Sequence, residues 1–358
     1  MSVDLDTRRI TSAPGSGNSL TARTLPRFAS LYAAAVSVVL AVVLNLTTPV
    51  QGVAGTAVVA ALLFVVGQTV WSFLVEGRRH AVDRLATTLV YAAFLAALVA
   101  LVAILAVTVV KGIDALSAEF LQRSMRNVSP MKEGGGIYHA LVGTIEQVLL
   151  AALIAVPGGI LTAIYLVEYG GRGKLAKAIS FFVDVMTGIP SIIAGLFIYT
   201  FWVLTLGFQR SGFAAALALV ILMVPVIVRS TEEMLKIVPN ELREASYALG
   251  IPKWKTILRI VLPTAIGGII TGVMLAVARV AGETAPLLLT TFLSQSINYN
   301  PFSGPQASVP TFVWDQISSG TGASLSRAWA GALVLIVFVM ILYLGARIVA
   351  KFFAPKSE

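Results

Sequence analysis

The sequence predicts an all-α, polytopic membrane protein with about eight transmembrane helices. Three observations carry that expectation: an apolar composition, eight long apolar runs and a one-sided distribution of Lys and Arg. Of the 358 residues, 57% are hydrophobic and only 12% are charged, where a soluble domain carries roughly 25% charged residues. The mean hydropathy is +0.88. That much apolar surface needs lipid as its solvent, and at about 20 apolar residues per span the chain has room for about eight. The composition speaks against a soluble enzyme and against a nucleic-acid binder. The chain has no cysteine and only two histidines, His80 and His139, so thiol chemistry and a His-rich metal site are not expected. No cofactor is expected either.

The apolar runs are 29–46, 53–75, 85–110, 139–167, 180–208, 212–228, 257–283 and 328–346. Residues 1–28 are polar and read as a disordered tail. They do not read as a signal peptide, because the first apolar run starts late and lacks a small-residue cleavage pattern. Nineteen of the 26 Lys and Arg fall on one side of the eight runs. Four lie in 1–28, three in 76–84, three in 169–179, six in 229–259 and three in the C-terminal tail. Six lie on the other side, and Arg279 falls inside a run. Because cytoplasmic loops carry the excess of Lys and Arg, both termini and the 229–259 loop are expected in the cytoplasm of a multi-pass cell-membrane protein.

The 229–259 loop reads RSTEEMLKIVPNELREASYALGIPKWKTILR. Pro239-Asn240 begins a predicted short helix, with Glu241 in its first turn, where the helix dipole favours an anion. Gly250 and Pro252 end it. A basic turn containing Trp254 follows. From composition alone, an amphipathic helix lying on the bilayer is an equal reading.

Glu244-Ala245-Ser246, then Gly250, then Ile260-Val261-Leu262-Pro263 resembles the EAA motif of ABC importer permeases, with Ser246 in place of the second alanine. In that family the helix docks on an ATPase subunit and transmits its movement. The resemblance therefore implies that Glu241, Glu244, Ala245, Ser246, Gly250 and Trp254 serve ATPase coupling. The stretches 143–169, 186–199, 244–263 and 278–288 look like the permease subunits of phosphate ABC importers, more the PstA type than the PstC type. The likeness covers 84–352 and implies a six-helix core like that of type I ABC importer permeases. The two helices in 29–75 are additional to it. The implied partners are a second permease (PstC type), a cytoplasmic ATPase dimer (PstB type), an extracytoplasmic phosphate-binding protein (PstS type) and membrane lipid. No G-x-x-x-x-G-K-[ST] phosphate loop occurs, so ATP hydrolysis is expected on a partner chain. A permease for another oxyanion and an ion-coupled secondary transporter are the alternative readings.

Arg279 and Glu283 are four residues apart, which on one helix puts them on one face. Charges inside a span are costly. The pair is either mutually neutralising or faces the translocation path, where a guanidinium fork suits an oxyanion. Sixteen residues past Pro263, Arg279 would sit about 24 Å along a helix, toward the outer half. Glu146 reads as an interfacial acid, and Asp184 as a partner for Lys177 or Arg229. Gly188-Ile189-Pro190-Ser191 is either a proline kink or a true helix break with free N–H groups. Gly268 and Gly272 form a G-x-x-x-G face that suits a second permease.

Overall fold

A computed structural model describes residues 25–47, 52–171 and 173–353. Residues 1–24 of the expected tail lie outside the described residues. The chain divides into two compact units, Met1–Ile104 and Leu105–Glu358. Among the described residues all regular structure is helical.

In the first unit, α1 (Ala29–Thr47) and α2 (Val53–Glu76) form a hairpin, and α3 (Arg78–Ala115), whose last turns from Leu105 on belong to the second unit, follows after a single residue. That residue is Gly77, at φ +87°, a conformation that a side chain would resist. Glu76 ties the joint together. Its carboxylate accepts from the Arg84 guanidinium at 2.7 and 2.8 Å, from Ser72 Oγ at 2.8 Å and from the Leu25 amide at 2.8 Å. A lone acid at a span end is thereby neutralised by a bidentate partner.

The second unit continues through α4 (Ala118–Gln122), α5 (Tyr138–Ile164), α6 (Lys174–Thr187) and α7 (Ser191–Ile198). After these come α8 (Gly212–Ile237), α9 (Asn240–Ala248), α10 (Lys253–Thr256), α11 (Leu262–Ala281), α12 (Ala285–Thr290), α13 (Val309–Ser319) and α14 (Gly322–Phe353). Wider π-helical turns extend α5 over Tyr165–Tyr169 and α7 over Tyr199–Thr205, and join α10 to α11 over Ile257–Val261. The centre is α8: 61% of its apolar stretch is buried, against 33% or less in the other spans. Small residues on or against it let neighbours approach. A Cβ on Gly159 of α5 would lie 2.7 Å from Ile227. Gly268 and Gly272 of α11 close on Met234 and Ser230 of α8. The G-x-x-x-G face expected to suit a second permease is thus filled inside this chain, because α8 supplies the side chains that occupy its groove.

Among the described residues seven helices are long and apolar enough to cross a membrane. An eighth crossing requires α6 and α7 to count as one span, and these are bent by 109° across Gly188–Pro190. The contacts of α5 decide how to count them. Its beginning and that of α8 both meet Gln306, through Gly143 and Gly212. Its middle meets Ile227 through Gly159. Its extension carries Glu168 to Arg243, just past the end of α8. Hence α5 and α8 run parallel, and the chain must return once between them. Of the two sequence readings the full break holds: Pro190 cannot donate an amide, and its ring disfavours helical backbone in the residue before it.

Candidate functional site

Two places gather the residues singled out by sequence, one beyond the end of α8 and one at the end of α11. The first is α9, which is EAA-bearing and stands off the bundle on two prolines, Pro239 and Pro252. Its end is a Schellman turn: the Ile251 amide donates to Ser246 O at 3.2 Å and the Gly250 amide to Tyr247 O at 2.9 Å. Gly250 takes φ +71° there, with open space where a Cβ would point, so the glycine answers a conformational need and not a steric one.

One side of α9 is anchored. Arg243 donates to Glu168 Oε1 at 2.9 and 3.1 Å, to Val238 O at 2.6 Å and to Leu235 O at 2.9 Å. The two side chains are only 12% and 5% exposed. Ser246 is buried, and its hydroxyl meets Thr256 Oγ1 at 2.7 Å. Lys253 donates to the Glu168 carbonyl and lies over the Tyr169 ring at 5.0 Å. The other side is open: Glu241, Glu244, Ala245 and Gly250 are exposed, and Leu249 and Trp254 are 80% and 58% exposed. Ser246 therefore faces the protein and fastens α9 to α10, while the other five candidates stand on or beside the open face. Sequence reasoning missed Arg243 and Glu168. The available signal was an acid left at the end of an otherwise apolar run and one Arg inside the motif helix.

The second place is the end of α11. Its register against α8, Gly268 to Met234 and Gly272 to Ser230, sets the two helices antiparallel and brings Arg279 level with the middle of α8. Where distance along the helix points toward the outer half, the register against α8 sets Arg279 beside the middle of that helix. Arg279 is exposed, and among the described residues no carboxylate pairs with it. The helix ends at Ala281, with the Gly282 amide donating to Arg279 O at 3.2 Å. Glu283 is half-buried beyond that end. The shared helical face and the neutralising pair are therefore not formed. Next to Glu283, Pro286 of α12 lies so close to Gly195 of α7 that a Cβ there would be 2.5 Å from Pro286 Cα. This contact sets the Arg279–Glu283 segment beside the start of α7. Asp184 of α6 meets Arg229 at 2.5 Å, as anticipated, and Arg229 also binds Glu232 at 2.6 Å and Ser180 Oγ at 2.9 Å. Glu146 is held by Gln306 at 2.5 Å. Among the described residues no cluster of metal-ligating side chains occurs.

Residues 155–357 match the family described as binding-protein-dependent transport system inner membrane component. The chain belongs to that family. It is 48% identical over 282 residues, 78% of its length, to the phosphate transport system permease protein PstA 1 of Mycobacterium tuberculosis, 92% of which is covered. It is 51% identical over 263 residues, 73% of its length and 86% of the relative, to PstA of Mycobacterium leprae. Its fold is similar to a solved inward-facing structure of the MetNI methionine ABC transporter. That match has a TM-score of 0.50 and 19% identity, and covers 67% of this chain and all of the other. The matched stretch of the inner membrane component family contains both places described above, from the second half of α5 through α14. The exposed face of α9 and the unpaired Arg279 thus lie within a transport permease.

Proposed function

We propose that the chain is one of two transmembrane subunits of an ATP-driven phosphate importer. It lines half of the pathway beside a second permease of PstC type. ATP is hydrolysed on a separate cytoplasmic dimer of PstB type, and phosphate arrives on an extracytoplasmic binding protein of PstS type. The six-helix core is 84–352, the 29–75 helices are additional to it, and both termini with the 229–259 loop lie in the cytoplasm. The observation that carries this reading is α9, a short helix anchored on one side by a buried ion pair and open on the other. Docked in an ATPase cleft, such a helix passes movement in two directions. Arg243 pulls on Glu168 and α5. Ser246 pulls on Thr256 and, through it, on α10 and α11. At the far end of α11 that displacement reaches Arg279, whose guanidinium, in no ion pair among the described residues, faces an oxyanion. Phosphate carries between one and two negative charges near neutral pH, and a planar fork holds it bidentately. The site also has to release the anion for conduction, and the half-buried Glu283 nearby limits how tightly it is held.

The test is co-purification with the ATPase and the second permease, followed by ATP hydrolysis measured with the loaded binding protein. Stimulation by phosphate and not by sulfate or molybdate is expected. Stimulation by one of the other oxyanions instead would move the chain to a different importer.

A further inference from the structure

We propose that Arg210 is a second oxyanion-handling residue, placed ahead of Arg279 at the outer mouth of the path. The proposal rests on the phosphate-permease reading. Arg210 lies in the turn between the π-helical extension of α7 and the start of α8. Its guanidinium lies over the Tyr199 ring at 4.7 Å and the Phe292 ring at 5.1 Å. One N–H donates to the Tyr199 hydroxyl at 3.0 Å. Among the described residues no carboxylate pairs with it. Of the other five Lys and Arg assigned to the outer side, Arg123 pairs with Glu119, and Arg327 is spent on Gln316 and backbone carbonyls.

Ring contacts occupy the faces of a guanidinium and leave its edge free. Arg has five N–H donors in one plane, and one is used here. The remaining fork matches two oxygens of a tetrahedral oxyanion. Tyr199 accepts from Arg210, so its own O–H remains free to donate to the same anion. The rings also hold the cation in place before any anion arrives.

The backbone supports the same reading. Phe292 has φ +65°, and the other described non-glycine with positive φ is Asn127. Asparagine tolerates that region, whereas a bulky aromatic is an outlier there. Strain of this kind gathers at ligand sites, and here it turns the ring toward Arg210. The adjacent Ser211 amide donates to Thr290 O at 3.2 Å, which pins Arg210 at the end of α12. Glu283 and Arg279 precede the start of that helix. The six residues of α12, about 9 Å of helix, thus lie along the chain between the two guanidinium sites, which stand at separate levels: Arg210 just before the start of α8 and Arg279 level with its middle.

Because the chain has no cysteine, Arg210→Cys gives this subunit a single thiol. Uptake of labelled phosphate is measured in the assembled transporter before and after treatment with two membrane-impermeant thiosulfonates, one bearing an ammonium and one a sulfonate. The wild-type complex, treated identically, controls for thiols on the partners. We expect Arg210→Cys to lower uptake about tenfold, the scale of a charged hydrogen-bonded contact. The ammonium reagent restores it and the sulfonate does not. Uptake within about twofold of wild type, or equal effects of the two reagents, overturns the proposal. If the cysteine variant does not assemble, Arg210→Lys and Arg210→Met are compared instead: uptake higher with Lys supports the site, and equal uptake overturns it. Absence of phosphate uptake by the wild type would be a failure of the phosphate reading itself, separate from any of these outcomes.

Discussion

At the scale of single residues, three sites carry different physics. Among the described residues Arg279 has no carboxylate partner, and on the proposed reading its charge meets the anion. Arg279→Gln is expected to abolish phosphate uptake while the complex assembles and hydrolyses ATP. Arg279→Lys keeps part of it, since the charge stays and the fork is lost. Because Glu283 lies beyond the helix end and forms no ion pair with Arg279, the double change with Glu283→Gln is expected not to rescue uptake; rescue to wild-type rates would show a structural pair after all. Arg243 and Glu168 form a buried pair, and removing one member leaves the other uncompensated, at a cost of about 3 kcal/mol. Arg243→Met is therefore expected to lower the midpoint of thermal inactivation in detergent and to release the ATPase on purification; unchanged values for both would deny the anchor. Gly250 holds φ +71° in open space. Gly250→Val then costs about 1 kcal/mol through backbone strain alone, and Gly250→Asn costs less, because asparagine visits that region. Quantitative pull-down of the ATPase checks the order Gly, Asn, Val. The motif residues were legible because their spacing is local. Arg243–Glu168 was not, since its members are 75 residues apart and become partners only when α5 and α8 run parallel.

At the scale of elements, the fifth apolar run departs most from its sequence reading. A run with an internal proline reads equally as a kinked span or as two pieces, because composition carries no angle. The parallel course of α5 and α8 settles it as α6, a sharp turn and α7, crossing once. Single cysteines at Lys177 and Gln209 are accordingly expected to react with an impermeant reagent from opposite sides of the membrane. Labelling of both from one side would make the pair a re-entrant hairpin and reduce the crossings to seven. The small-residue face of α11 offers a related lesson. Gly268 and Gly272 mark a close approach in the sequence, but a glycine pair does not say which helix approaches. Ser230 and Met234 of α8 fill that groove, which leaves other faces of the bundle for the second permease.

At the scale of the whole molecule, the all-helical class, the long apolar spans and the position of the motif helix between α8 and α11 were legible. They follow from hydropathy and from where charges are tolerated, and these are set by lipid and not by tertiary packing. The depth of Arg279 was not legible, because distance along a helix says nothing about where that helix enters the membrane. Its register against α8 supplies only its level beside that helix. The proposed orientation rests on the Lys and Arg asymmetry, so cysteines at Lys253 and Ser303 are expected to label from opposite sides of intact cells. Labelling of both from outside would remove α9 from the compartment of the ATPase. The central claim, a phosphate path driven by an ATPase that grips α9, is tested most directly by labelled phosphate entering sealed vesicles. These contain the reconstituted complex, with ATP on the α9 side and loaded binding protein on the other. The expected result is ATP-dependent accumulation of phosphate against its gradient by wild type, lost in Arg279→Gln with ATP hydrolysis preserved. Vesicles that hydrolyse ATP yet accumulate no phosphate with the wild-type chain, or that accumulate it equally with Arg279→Gln, would contradict it.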